Sequence, residues 1–404
     1  MIHRRHSKSA YESVYFIILF FGIISLCGDI IYEGARSVTG PYLYMLGGSA
    51  FIVGFVAGFG EFLGYGLRLI SGYLADASKN YWAPTILGYG LLIAVPFLAL
   101  AGSWELAAVL YIIERVGKGI RSPAKDAILS HVTSGIGRGW GFGIHEALDQ
   151  VGAVTGPLIF TVVFLYTGDF RSGFALLLIP FVLMMVILIL TRRKVPHPSL
   201  FEEKQQRMPD NPSNHTPSFR ALIPYCIFTA FTMLGFAAFP LIAYHFTVTG
   251  VVPEAQIPLF YAIAMGMDGV VALVVGKAYD RHGLILLITL PFIGIIIPFA
   301  AFFGGYLSAL IAVFLWGTVM GIQETILRAA IADYTHISKR GMAYGIFNTV
   351  YGMISWFAGS LCIGWVYGIS IPLLIGFLVV MQLLACGSFV YIKKSPDIVR
   401  SVKI

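Results

Sequence analysis

The sequence is poor in charge for its length. Only 12% of its 404 residues are Asp, Glu, Lys or Arg, and 58% are hydrophobic, whereas a typical soluble protein carries about 25% charged residues. A soluble core stops growing at about 250–300 residues, so a soluble fold of this length could not bury so much apolar surface. The composition therefore predicts a chain that lies in a lipid bilayer.

Cysteine is also scarce. The four cysteines, Cys27, Cys226, Cys362 and Cys386, each lie inside an apolar run, and none forms a CxxC pair. They are interpreted as small buried hydrophobic residues rather than as a disulfide framework or a metal site.

Motifs of enzymes are missing as well. The sequence contains no G-x-x-x-x-G-K-[ST] phosphate loop, no strand–GxGxxG–helix unit, no HExxH and no Cys/His cluster. We therefore expect no enzymatic activity, no cofactor, no metal and no direct use of ATP. The net charge of +7 does not predict nucleic-acid binding, because the cations lie in short stretches between apolar runs.

Long apolar segments are what the sequence has in abundance. A helix needs about 20 apolar residues to cross the hydrocarbon core of a bilayer. Twelve such segments lie at about 13–42, 47–70, 81–101, 104–127, 141–167, 172–191, 221–247, 255–276, 283–304, 306–330, 341–367 and 369–391. The first follows a basic N-terminus without a small-x-small cleavage site, so it is predicted to be an uncleaved span.

The distribution of cations predicts the orientation. Loops on the side of the N-terminus hold nearly all of the loop cations, including Arg192, Arg193 and Lys194, while the opposite loops hold only Arg171. This bias predicts that both termini are cytoplasmic. The expected location is the plasma membrane, which is the inner membrane in a Gram-negative bacterium.

A polar segment divides the chain in the middle. Residues 195–219 carry five prolines and cannot form a span, so they are predicted to be a cytoplasmic linker. The fold prediction is an all-α polytopic membrane protein with twelve transmembrane helices in two pseudo-symmetric six-helix bundles, 1–194 and 220–404.

The two halves resemble each other in sequence. The segment from Gly137 lies over the segment from Lys339, and the loop SGYLADAS at 71–78 is similar to VGKAYDRHG at 275–283. Internal duplication is typical of transporters, whose binding site lies near the midplane between the repeats.

Four short motifs occur in the order and in the helices of a known family. They are Gly72-Tyr-Leu-Ala-Asp76 after span two, Arg115-Val-Gly117-Lys-Gly119 in span four, Gly152-Ala-Val-Thr-Gly156-Pro157 in span five and Gly276-Lys-Ala-Tyr-Asp280-Arg281 after span eight. With these motifs the whole chain resembles the major facilitator superfamily, and most closely its twelve-helix drug–proton antiporter branch. The pattern departs from the family in lacking an Arg after Asp76 and a Gly-Pro copy in span eleven.

The resemblance implies roles for these motifs. Gly72 and Gly276 let helix ends approach closely, so that Asp76 and Asp280 reach the positive N-terminal end of a neighbouring helix and form a latch; an ordinary turn Asp is the alternative. In span five, Gly152, Gly156 and Pro157 give a flat, bendable packing surface.

Charges inside the spans are the candidate functional residues. A charge at the bilayer centre costs at least about 2.5–3.5 kcal/mol, so each calls for a partner or a function. The basic ones are Arg36, Arg68, Arg115, Lys118, Arg121, Lys125 and Arg328, and the acidic ones include Asp29, Glu33, Glu61, Glu114, Asp126, Glu146, Asp149, Asp268 and Glu324.

Span one carries the first stripe of charge. Asp29, Glu33 and Arg36 share one helical face. Two carboxylates one turn apart in a low-dielectric cavity repel, so one of them is expected to hold a proton. Arg115 is then a candidate counter-charge for proton coupling, and a static Glu33–Arg36 ion pair is the alternative.

The other intramembrane charges carry further predictions. Lys125 is expected to extend to the membrane interface, and Arg121 lies either there or in a cavity. The group His145, Glu146 and Asp149 forms either a proton relay or a gate.

In span ten, Glu324 and Arg328 align on one face and are expected to close a cytoplasmic gate.

Three functions remain open at this point. The first is a proton-coupled exporter of a small solute that works by alternating access as a monomer, with protons and the bilayer as its other partners. The second is uptake of an anionic solute held by Arg36, Arg115 and Arg121. The third is a non-transporting receptor or assembly protein, for which so much buried charge would bring little gain.

Overall fold

A computed structural model of the chain describes residues 2–78, 80–133, 138–196, 222–327, 330–331 and 345–394. Regular structure in these residues is helical, without a strand. The α-helices in chain order are α1 Ile2–Met45, α2 Ala50–Ser78, α3 Trp82–Gly90, α4 Ala94–Phe97, α5 Trp104–Thr133, α6 Arg138–Thr167, α7 Phe170–Leu176, α8 Leu178–Lys194, α9 Leu222–Leu234, α10 Phe239–Thr249, α11 Ile257–His282, α12 Thr289–Phe302, α13 Tyr306–Ile322, α14 Phe357–Tyr367 and α15 Ile371–Lys394.

The helices account for the twelve predicted spans. Ten stretches of the described residues are long and apolar enough to cross a membrane. The other two spans are α1, of 44 residues, and α5, of 30 residues, which carry most of the intramembrane charges. The twelve-helix, all-α membrane fold is thereby confirmed. Spans three, six and seven each consist of two helices, α3–α4, α7–α8 and α9–α10.

The chain forms two compact units. Unit 1 comprises Met1–Ala35, Gly66–Ala101 and Val109–Pro212. Unit 2 comprises Arg36–Tyr65, Gly102–Ala108 and Ser213–Ile404. The unit boundaries thus run through spans one, two and four, and the division into bundles 1–194 and 220–404 stays a prediction from the duplication. Most of the predicted linker lies outside the described residues.

In unit 1, a proline in span four depends on span two. Pro123 has no backbone N–H, so the carbonyl of Gly119 one turn earlier has no partner within its own helix. The hydroxyl of Ser71 donates a hydrogen bond to that carbonyl at 2.8 Å. Span four can therefore carry a proline inside the membrane because a neighbouring helix satisfies the freed oxygen.

In unit 2, span seven is broken between α9 and α10. The amide of Gln382 donates to the carbonyls of Thr232 at 3.1 Å and Gly235 at 2.9 Å. The indole N–H of Trp316 donates to the carbonyl of Ala237 at 3.0 Å. Both side chains are buried, so spans ten and twelve replace the helical hydrogen bonds that the break removes.

Glycines also bring spans one and two against spans seven and eleven in unit 2. A Cβ on Gly40 would overlap the carbonyl oxygen of Pro240, and one on Gly54 would lie 3.2 Å from the Cα of Gly364. The ring of Phe357 lies 5.5–6.5 Å from three phenylalanine rings of span two. Backbones approach this closely only where side chains are absent.

The break in span seven gives a first prediction. Replacing Gln382 by Leu leaves two buried carbonyls without their donor, so we expect the free energy of unfolding to fall by about 1–3 kcal/mol. Detergent-based equilibrium unfolding followed by circular dichroism measures it. Ser388→Ala on the same helix is the control, because its hydroxyl bonds only within the helix, to the carbonyl of Leu384; equal stability of both variants would contradict the role of Gln382.

Candidate functional site

The charges of spans one, four and five gather in unit 1. Asp29 of span one interacts electrostatically with Asp149 of span five, with Lys118 and Lys125 of span four, and with Glu33 on its own helix. The side chain of Glu33 is buried. Acidic and basic groups from three helices thus meet in one cluster, which we call the charge cluster.

Tyr32 holds two cations of span four at this cluster. The guanidinium of Arg115 donates a hydrogen bond to the Tyr32 hydroxyl, and its carbon lies 4.4 Å from the centre of the ring. The ammonium of Lys118 lies 3.7 Å from the same centre. Arg115 also lies 3.4 Å from the carboxylate of Glu114. The aromatic face stabilises both cations away from water and fixes them beside the carboxylates of span one.

Arg121 is buried rather than interfacial. Its side chain is 6% exposed, and its guanidinium lies 5.0 Å from the ring of Tyr89 in span three. A Cβ on Gly88 would lie 2.5 Å from the Cβ of Arg121 and from the carbonyl oxygen of Gly117. The close contact of spans three and four at these glycines therefore places Arg121 against Tyr89. One of its terminal nitrogens, Nη1, is buried without a hydrogen-bond partner.

The expectation that Lys125 extends to the membrane interface is wrong. Its side chain is 16% exposed, and its ammonium lies 3.6 Å from the carboxylate of Asp126 and 2.8 Å from Nε2 of His145. The position of Lys125 near the end of span four predicted contact with the membrane interface. Its ammonium instead contacts a ring nitrogen of the buried His145 on span five. The carboxylate of Asp126 is 56% exposed, so it forms the rim of the cluster.

His145 and Asp149 face each other on span five. Nδ1 of His145 lies 3.7 Å from Oδ1 of Asp149, one helical turn away. Asp149 also accepts a hydrogen bond from the hydroxyl of Ser25 in span one. Glu146, which was predicted beside them, has an exposed side chain. The structure therefore brings His145 and Asp149 together with span one and directs Glu146 elsewhere.

The glycines of span five explain how the carboxylates meet. A Cβ on Gly156 would lie 2.8 Å from the backbone nitrogen of Gly34, and one on Gly152 would lie 3.0 Å from the Cβ of Asp29. Asp149, Gly152 and Gly156 share one face of the helix at spacings of three and four residues. This face packs directly on span one and so carries Asp149 to Asp29. Pro157 lies inside the same helix.

Arg36 belongs to unit 2. Its guanidinium lies 3.9 Å from the carboxylate of Glu61 in span two. Of the predicted stripe on span one, Asp29 and Glu33 thus lie in unit 1, whereas Arg36 pairs with a carboxylate of unit 2.

The latch motifs are helical rather than loops. Residues 71–78 continue α2, which ends at Ser78, and the second motif continues α11, which ends at His282. A Cβ on Gly72 would be in ordinary contact with Pro123 at 3.4 Å, and one on Gly276 with Thr325 at 3.7 Å. The prediction of loops at both places is therefore wrong, and each glycine lies at an ordinary contact distance from its neighbouring span rather than at the close approach that was expected.

The charged members of the latch and the gate are described only in part. Arg281 is exposed in the last turn of α11, and Glu324 is half-buried in a π-helical turn, Gln323–Leu327. The side chains of Asp76 and Asp280 and the whole of Arg328 lie outside the described residues. The latch and the Glu324–Arg328 gate stay predictions.

Sequence reasoning missed several partners of the cluster. It did not identify Tyr32, Tyr89 or Ser25 as members of the cluster. Ser25 lies one turn before Asp29, and Tyr89 follows Gly88 directly. These positions are compatible with the cluster, but only the packing of the helices identifies them.

Comparison with known proteins gives the class. Residues 19–360 match the family description of the Major Facilitator Superfamily. The chain therefore belongs to this superfamily, and its fold and family are those of a membrane transporter.

Relatives in sequence cover nearly the whole chain. An uncharacterized protein of Mycobacterium tuberculosis is 42% identical over 380 residues, which cover 92% of each chain. An uncharacterized transporter of the superfamily type from Methanocaldococcus jannaschii is 27% identical over 372 residues, covering 87% of this chain and 89% of that protein.

Solved structures share the fold at low identity. The match to the nucleoside transporter NupG has a TM-score of 0.75 and 13% identity. It covers 92% of this chain and 100% of the NupG chain. A peptide transporter of the POT type has a TM-score of 0.73 at 14% identity, with 96% of each chain covered. Identities this low show a common fold alone.

The contact of spans one and five gives the second prediction. In the Gly156→Val variant, the added side chain would push span five from Gly34, and we expect the free energy of unfolding to fall by about 1–3 kcal/mol. Thermal unfolding of the purified protein measures the change. Gly90→Ala is the control, since a Cβ there has no neighbouring atom within 4 Å. Similar unfolding temperatures for the two variants would rule out close packing at Gly156.

Proposed function

We propose that the protein is a proton-coupled exporter that moves a small solute across the plasma membrane by alternating access. Asp29 and Glu33 load protons, and Arg115 responds to their change of charge. The observation that carries the proposal is the meeting of Asp29, Glu33 and Asp149 in one cluster with Lys118 and Lys125.

The balance of charge in the cluster supports coupling to protons. Carboxylates that share a site of low dielectric constant cannot all stay ionised without cations nearby. When a proton binds Asp29, the attraction between this group and Lys118 disappears, so Lys118 can strengthen its interaction with another carboxylate. A proton thus changes the partners of the cations, which is the requirement for coupling protonation to a change of conformation.

The glycine contacts in unit 2 support alternating access. Spans one and two pack on spans seven and eleven through close backbone contacts at Gly40 and Gly54. Close backbone contacts of this kind allow the interface to close tightly. With the predicted orientation, both termini are cytoplasmic and this interface closes the pathway near the outer surface, while the latch motifs act near the cytoplasm.

The substrate is a small solute whose class stays open in this proposal. The structural relatives include a nucleoside transporter and peptide transporters. Because fold alone does not define a ligand, solutes of both kinds belong in a first screen. Binding to the folded protein raises its unfolding temperature, so a thermal-shift screen at two pH values identifies a solute for flux assays.

Proton coupling gives the third prediction. In everted vesicles that hold a pH gradient, a transported solute should dissipate the gradient with the wild-type protein and should not do so with Asp29→Asn or Glu33→Gln. A pH-sensitive dye reports the gradient, and size-exclusion chromatography checks the fold. The control Glu105→Gln changes an exposed carboxylate and should leave the response intact. Wild-type responses from both cluster variants would disprove the proposed coupling.

A second candidate function is uptake of an anionic solute. Arg115 and Arg36, two of the three arginines predicted to hold it, lie beside Glu114 and Glu61. Arg121 instead lies on an aromatic ring with a buried nitrogen that has no hydrogen-bond partner. A guanidinium with free donors is suited to a carboxylate or phosphate, so Arg121 is the observation that favours this candidate.

Arg121 gives the fourth prediction. If the solute is anionic, Arg121→Gln should weaken its binding at least about tenfold, because a hydrogen bond to a charged group contributes about 1.5–3 kcal/mol. Thermal shift with a panel of carboxylate and phosphate solutes measures binding. Arg192→Gln at the exposed end of α8 is the control. Undiminished binding of every anion by Arg121→Gln would remove this candidate.

A further inference from the structure

We propose that His145 exchanges protons between the Lys125 ammonium at the cytoplasmic end of span four and the Asp29–Asp149 carboxyl pair, and that this ammonium also fixes the tautomer of the ring. The inference rests on the proposed proton coupling, since it supplies the route by which the carboxyl pair reaches solution.

The contacts form a continuous series from the surface inward. The exposed carboxylate of Asp126 lies 3.6 Å from the ammonium of Lys125. This ammonium lies 2.8 Å from Nε2 of His145, and Nδ1 on the other side of the ring lies 3.7 Å from Oδ1 of Asp149. Asp149 in turn interacts with Asp29. The imidazole ring is thus the link between the exposed and the buried groups.

The ammonium determines which ring nitrogen carries the proton. An ammonium group has donors and no acceptor, so Nε2 of His145 must accept, and the neutral ring carries its proton on Nδ1. The Nδ1–H group therefore faces the carboxylate of Asp149. A cationic ring 2.8 Å from an ammonium would be repelled, so the ring relays protons by changing tautomer rather than by storing charge.

The proposed proton transfer takes place between two buried atoms that lack hydrogen-bond partners. Nδ1 of His145 and Oδ1 of Asp149 are both buried, and neither has a hydrogen-bond partner. A buried donor and a buried acceptor that lack partners destabilise the folded state. They face each other at 3.7 Å, slightly beyond hydrogen-bonding distance, so a small rotation of either side chain makes the bond. In this arrangement the hydrogen bond through which the relay would pass the proton has not formed.

The transfer balances without another reactant. As the gap closes, Nδ1 gives its proton to the Asp149 carboxylate while Nε2 takes a proton from the Lys125 ammonium. The ring stays neutral with its proton on Nε2, Asp149 becomes a neutral acid, and the Lys125 amine regains a proton from a hydronium ion that arrives from solution beside the exposed Asp126, leaving a water molecule. The reverse sequence returns the proton to the cytoplasm and restores the starting tautomer.

The titratable groups around the relay come from four helices. Lys118, Lys125 and Asp126 come from span four, Asp149 from span five, Asp29 from span one, and the hydroxyl of Tyr89 from span three. Because the imidazole ring contacts both Lys125, at 2.8 Å, and Asp149, at 3.7 Å, its removal should slow proton exchange without removing the sites that bind the proton.

The experiment follows protonation of the buried acids directly and needs no solute. Purified protein in nanodiscs is subjected to a pH jump, and time-resolved infrared difference spectroscopy records the C=O stretching band of protonated carboxyl groups. We expect His145→Gln to reach the wild-type amplitude about a hundredfold more slowly, the usual range for loss of a positioned proton-transfer group. Asp149→Asn should lower the amplitude and so identify the band.

A matched control and a rescue experiment distinguish the loss of proton transfer from a loss of folded structure. His282→Gln changes an exposed histidine of α11 and should leave the rate unchanged. If His145→Gln does not fold, His145→Ala is used instead, and added imidazole should restore its rate. A wild-type rate in His145→Gln, or a slow His145→Ala that imidazole does not restore, would overturn the relay.

The same measurement distinguishes this inference from the proposed function. A wild-type protein without any protonated-carboxyl band between the two pH values would disprove proton loading itself. A band that forms in wild type and His145→Gln at the same rate would leave proton loading intact and disprove only the relay.

Discussion

The absence of water from the bilayer interior is the constraint on which the rest of the structure depends. Every carbonyl that a proline or a helix break releases must find a donor within the protein. Ser71 supplies this donor to Gly119 beside Pro123, and Gln382 supplies it to the broken span seven. The same constraint acts on charges: those of spans one, four and five neutralise one another because neither lipid nor water can do so.

Glycines let the helices pack closely enough to bring the charges of the cluster together. Gly152 and Gly156 let span five pack on span one closely enough to bring Asp149 to Asp29, and Gly88 lets Arg121 lie against Tyr89. These residues serve the fold and the chemistry at once. Increasing the volume at such a glycine therefore disturbs packing and moves a charge, which makes stability and transport difficult to separate by mutation there and easier to separate at polar positions.

The charge cluster also has a direction. It runs from the exposed carboxylate of Asp126 through Lys125 and His145 to the buried pair, so its polar groups connect one membrane side to the interior. A cluster of opposite charges can exchange partners when one carboxylate binds a proton. In the proposed exporter, this exchange links protonation to the movement of helices.

The sequence by itself determined the class of fold and the face of each helix. Apolar runs of spanning length leave a helix as the only choice in lipid, and a spacing of three or four residues places Asp29 and Glu33 on one side. Only the tertiary structure decided the partners. In the folded protein Lys125 contacts His145 rather than the membrane interface, and Arg36 pairs with Glu61. Helix α2 continues through 71–78, and span seven is divided into two helices. The physical reason is that spacing fixes positions around one helix axis, whereas the rotation and separation of two helices depend on every side chain between them.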